Sequence, residues 1–191
     1  MTLDDLREAL GETEHDWLSD AAARVRNEPA ALAPLFARAE RKLGREPLLD
    51  GWTKGRAGRA LLLEGQPAPR VVEIYHQGDA AEKLAVLEAL PLLNIGDEGV
   101  PLLLDALRTN DTRLVAAALG RYARHLDAAT WRQGVIKCVF MGVPLARVSD
   151  LDERKDAELA AMLRGLADER AAAGRDMPED ATALLTSLEK P

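Results

Sequence analysis

Apolar residues recur at helical spacing along most of the chain. Leu32, Leu35, Phe36 and Ala39 follow the i, i+3, i+4, i+7 pattern of one helix face. Before them, Thr2 precedes Leu-Asp-Asp-Leu as an N-cap with acids in the first turn, and predicts a first helix. Trp17, Ala21, Arg24 and Val25 mark a second helix, which should stop near Asn27 because Pro29 disfavours helix at the residue before it. Pro29 suits the first turn of a third helix, and Gly44 its C-terminus. From Arg70 onward short apolar runs follow one another, with Asp79, Asp97, Asp111 and Asp127 each placed to cap the next. Trp131, Val135 and Cys138 share one face of a helix over 131–141, and Ile136, Val139 and Phe140 cover the others. A helix apolar all round is expected to be buried. Residues 150–174 predict one long helix with a stripe of Leu159, Met162, Leu163 and Leu166, and a short helix follows Pro178.

Roughly ten short helices result, and some of them echo each other. YHQGDAAEKL and LRTNDTRL set their capping residues, Asp79 and Asp111, 32 positions apart. Helix pairs at such a period predict stacked antiparallel hairpins, a HEAT-like α-solenoid. The expected organisation is one all-α helical-repeat domain over 1–191. It comprises N-terminal helices (1–44), a Gly-rich basic loop (45–69), a repeat core (70–145) and capping helices (150–191). Composition agrees: 33 Ala and 32 Leu stand against 13 Val plus Ile, which excludes a sheet-based fold. A hydrophobic share of 47% suffices for a real core.

The formal net charge is −7, which argues against non-specific nucleic-acid binding. Cys138, the single cysteine, forms no intrachain disulfide. The acidic N-terminus has no secretory apolar core, and no apolar run reaches the roughly 20 residues of a membrane span. The expected compartment is the cytoplasm. Charge is uneven, however. Residues 38–70 hold eight basic and four acidic residues, a net +4, leaving −11 for the rest.

That basic stretch supplies the first candidate site. GREPLLDGWTKGRAGRALLLEGQPAP predicts a loop around 50–55, then a short helix through 59–64. Trp52, Lys54, Arg56 and Arg59 bring three cations within six positions, separated by glycines. Such a set can clamp a phosphate or carboxylate, or can be a solvated loop paired with acidic surface. Tyr75 and His76 stand at a turn between helices, where His76 is a candidate acid–base group or a favourable helix C-terminal residue. Asp111 and Arg113 form a candidate surface or a cap with an ion pair. Lys137 sits inside the apolar helix, either snorkelling or buried as a functional amine. Cys138 beside it is a weak candidate nucleophile. His15, His76 and His125 lack metal-ligand spacing, so no metal is expected, and nothing calls for a cofactor.

GWTKGRAGRALLL, YHQGDAAEKLAVLEALPLL, ALRTNDTRLVAAAL and WRQGVIKCVFMGVPL together resemble the EboA family, with KCVFMGVPL the most specific part. The likeness covers most of residues 30–175. It implies a small HEAT-like protein whose gene accompanies a prenyltransferase-like membrane enzyme, a sugar-phosphate cyclase-like enzyme and metal-dependent hydrolase-like proteins. It also implies a role in making or moving a secondary metabolite, and it transfers no catalytic residues. The resulting expectation is an accessory protein that binds a pathway enzyme or an anionic or prenylated metabolite. The alternative is an enzyme that clamps a small anion with Lys54, Arg56 and Arg59 and uses His76 or Lys137 as acid–base group.

Overall fold

The structure is a computed structural model that describes residues 1–189. Among these residues the chain is all-α, with no strand. Its helices are α1 (Leu3–Glu8), α2 (Glu12–Asn27), α3 (Leu32–Leu43), α4 (Lys54–Leu62), α5 (Ala68–Gln77) and α6 (Ala80–Ala89). They continue with α7 (Val100–Arg108), α8 (Thr112–Ala118), α9 (Ala128–Met141), α10 (Leu151–Arg154), α11 (Ala157–Ala172) and α12 (Glu179–Glu189). Short 3-10 turns lie at Pro29–Ala31, Leu90–Leu92, Arg121–His125 and Leu145–Arg147. Among the described residues no helix is long and apolar enough to cross a membrane.

Most boundaries follow local chemistry. Thr2 with Asp5, and Asp79 with Glu82, form reciprocal capping boxes. The carboxylates of Asp111 and Asp127 accept the backbone N–H of Arg113 and Thr130. The fourth expected cap differs. Asp97 lies in a turn, and α7 begins at Val100 beside Pro101, a residue without an N–H that fits only a first helical turn. The long helix expected over 150–174 is two helices. Asp156 accepts the backbone N–H of Leu159 at 3.0 Å and so starts α11 afresh after α10. Arg132 of α9 holds the same carboxylate, with Nη2 2.6 Å from Oδ2.

The chain divides into two compact units, Met1–Leu102 and Leu103–Pro191. In the first, α4 is central and packs against α1, α2, α3 and α6, while α5 pairs with α6. The loop expected around 50–55 therefore ends at Thr53, and the short helix expected through 59–64 is a largely buried helix that starts at Lys54, five residues early. Its glycines are the reason α3 approaches so closely. A Cβ at Gly55 would stand 2.7 Å from Cα of Glu40 and 2.8 Å from the carbonyl oxygen of Gly44, and one at Gly58 would collide with the Leu43 side chain. Ala57 and Ala60, on the other side of α4, are fully buried as well.

Residues 44–54 reach α4 through a tight hairpin-like turn. The N–H groups of Leu48 and Trp52 donate to the carbonyls of Trp52 and Leu49, both at 2.8 Å. Asp50 and Gly51 take positive φ values of 48° and 79°, a pairing that Asp-Gly favours between chain segments that double back.

In the second unit α9 packs against α8 and α11, and α11 against α12. Trp131, Leu119, Leu159 and Leu163 are buried there. The Arg154 guanidinium lies 4.7 Å from the Trp131 ring and donates to the carbonyls of Ala123 and Leu126 at 2.7 and 2.8 Å.

Candidate functional site

The expected anion clamp lies at the start of α4, where Thr53 caps the helix. Trp52 is buried, with the Arg56 guanidinium 5.4 Å from its ring. The three cations share a helix but diverge from one another. Lys54 Nζ donates to Glu14 of α2 at 2.6 Å. This hydrogen bond lowers the pKa of Glu14 and raises that of Lys54. Arg56 donates Nε–H to Glu88 of α6 at 2.7 Å and Nη1–H to the Gly51 carbonyl at 3.0 Å.

Arg59 is only 4% exposed. It donates Nε–H to the Phe36 carbonyl at 3.1 Å and Nη1–H to Glu40 at 3.4 Å, while Nη2 lies 3.8 Å from Glu82. Its guanidinium also lies 5.4 Å from the Phe36 ring. A buried ion is tolerated when paired and hydrogen-bonded in this way, and removing its partners costs about 3–5 kcal/mol. The local surplus of positive charge is thus met by carboxylates from α2, α3 and α6. The glutamates 14, 40, 82 and 88 are the partners that sequence reasoning missed. They lie 19 to 40 positions from the α4 cations they pair with and carry no local signal.

The other candidates have equally specific surroundings. Tyr75 is fully buried, with the Lys83 ammonium 4.9 Å from its ring. His76 is exposed in the last turn of α5, its ring edge-on to Tyr75 at 5.4 Å. Arg113 chelates Asp111 with Nε at 3.0 Å and Nη2 at 2.6 Å, which pulls the Asp111 pKa down. His125 packs on Tyr122 at 4.7 Å. Among the described residues no group of three or more His, Cys, Asp or Glu could hold a metal ion.

Lys137 snorkels to a backbone target. Its ammonium donates at 2.6 Å to the carbonyl of Leu107, in the last turn of α7, where helical carbonyls lack partners of their own. Cys138 beside it is fully buried, and burial pushes its thiol up to about 11. The thiolate needed by a nucleophile is therefore disfavoured. Phe140 departs from expectation: it is 67% exposed, although α9 is apolar around most of its circumference. Gln133, Lys137 and Phe140 follow i, i+4, i+7, so the two polar residues marked the open face.

Residues 37–185, which are 149 of the 191, match the family model described as metabolite traffic protein EboA. No curated protein and no solved structure matches the chain.

Proposed function

Because the chain belongs to the EboA family of metabolite traffic proteins, we propose that it is a non-catalytic accessory protein of a metabolite pathway, a HEAT-like stack of helix pairs that binds a partner enzyme in the cytoplasm. One observation carries the reading: apart from the exposed His76, the groups best suited to chemistry are already engaged in holding the fold. Lys54, Arg56 and Arg59 each hold a carboxylate. Lys137 holds a helix terminus. Cys138 is buried as a thiol. Side chains engaged in this way fix helices against each other and leave a rigid surface for recognition.

A second reading has its own support. The side chains of Lys54 and Arg56 remain 30% and 27% exposed, so an anionic or prenylated phosphate can reach them by displacing Glu14 or Glu88. Its enzymatic form adds His76 or Lys137 as the acid–base group.

Co-elution of the full chain with the purified cyclase-like and hydrolase-like enzymes that the resemblance places beside it tests the first reading. A stable complex with one of them, with that enzyme's turnover depending on the chain and the chain alone inert on its substrate, is the expected result. Turnover of a pathway intermediate by the isolated chain, lost in His76→Ala or Lys137→Met, overturns it.

A further inference from the structure

The second unit carries a cleft of about 450 Å³ bounded by the Leu145–Arg147 turn, α10 and the start of α12. Its floor is apolar, with Leu145, Val148 and Leu184 all buried. Its rim is acidic. Asp150, Asp152 and Glu153 come from the α10 segment, and Asp180 from α12. Asp180 also builds the cleft: its Oδ2 accepts the Leu145 N–H at 2.7 Å and fixes α12 to the turn.

The nearby cations leave Glu153 uncompensated and Asp150 only partly so. Arg154 donates to the carbonyls of Ala123 and Leu126 and also feels the charge of Asp150, while Lys155 pairs with Asp152 at 2.6 Å. Among the described residues Asp150 and Glu153 make no side-chain hydrogen bond or ion pair. Residues 150–191 hold eleven acidic and six basic residues, so this stretch carries −5 of the chain's −7. A field of that sign speeds the approach of a positive partner.

The shape narrows the occupant further. The cleft is open to solvent, whereas small-molecule sites envelop about 70–90% of their ligand. A protein segment can instead set one apolar anchor on the floor and its flanking cations on the rim. We propose that this cleft docks a basic, apolar segment of a partner protein, with Lys or Arg side chains against Asp150 and Glu153. The proposal rests on the accessory reading above and names its surface.

Panning a random twelve-residue peptide library over the full chain tests it. Enriched peptides should combine Lys or Arg with a large apolar residue and should bind more weakly as salt rises. Two variants should weaken them by roughly tenfold or more, the value of a lost charge pair or anchor. Asp150→Asn/Glu153→Gln removes the rim charge and keeps the shape. Ala183→Trp, at an exposed lining position, fills the cleft. Phe140→Ala should leave the affinity unchanged. Enrichment without a basic bias, no enrichment, or equal binding to the variants overturns the proposal. Saturable binding of hexylamine at the cleft, with no peptide enriched, also overturns it in favour of a small cation. If a pathway enzyme binds the chain but does not compete with cleft-bound peptides, the cleft proposal fails and the accessory reading stands.

Discussion

Arg59 on α4 donates its Nε–H to the backbone carbonyl of Phe36 on α3, 3.1 Å away, so a buried cation fastens two helix backbones together. The same guanidinium reaches Glu40 and Glu82, which makes it the junction of α3, α4 and α6. A residue that composition alone marks for ligand binding is thereby explained as internal structure.

Replacing Arg59 should therefore be a stability lesion. Arg59→Met keeps much of the side-chain volume but removes the cation shared by the Phe36 carbonyl, Glu40 and Glu82, leaving Glu40 with Arg45 and Glu82 with the Asp79 N–H, at a cost of about 2 kcal/mol. Arg59→Lys should recover only part of this, because one ammonium cannot reproduce the planar fork. Urea denaturation of the three proteins reads the order directly, and an Arg59→Met loss below about 1 kcal/mol contradicts the assignment.

Close approach of α3 and α4 makes a second prediction. At Gly55 an added methyl meets backbone atoms, which cannot rotate away. Gly55→Ala should cost about 2 kcal/mol by overpacking, despite alanine's better helix propensity. An unchanged denaturation midpoint would show that the helices are not held this tightly.

Cys138 should be silent in the folded protein. With its thiol pushed up to about 11 by burial, little thiolate exists at pH 8. Ellman's reagent should react with it only in denaturant. Stoichiometric labelling of the native chain within seconds would restore it as a nucleophile candidate.

The Glu14–Lys54 pair predicts a pH dependence. Its hydrogen bond holds the Glu14 pKa below the ordinary glutamate value of 4.5, so the contribution is fully present above that value. It is lost as pH falls through the lower folded pKa, because the unfolded chain then binds the proton more readily. Wild type should exceed Glu14→Gln in stability at pH 7, and the two unfolding curves should converge as the solution is acidified. A stability gap that stays constant with pH would deny the pair its role.

Much of the fold was legible because its signals are local. Thr2, Asp79, Asp111 and Asp127 cap the helices that their spacing predicts, and Leu159, Leu163 and Leu166 face the core as their stripe implies. The errors arise where a local signal has two readings. Gly55 and Gly58 look like chain breakers but are contact surfaces, and only the facing Glu40 and Leu43 decide between the two. Asp-Gly at 50–51 marked the turn into α4 and would have set its start. Asp156 falls inside the helix expected over 150–174, yet it caps a new helix through the Leu159 N–H and is held by Arg132. The candidate site was half legible. Its cations cluster in sequence, whereas Glu14 and Glu88 arrive from other helices and appear only in three dimensions.

Calorimetric titration of the full chain with geranyl diphosphate and with a cyclitol phosphate tests most directly whether the basic residues of α4 serve structure or ligand. The structural account predicts no saturable heat from either, and no shift in melting temperature that grows with ligand concentration. Saturable binding that is abolished in an Arg56→Ala variant shown to be folded would contradict it, and would make the start of α4 an anion site.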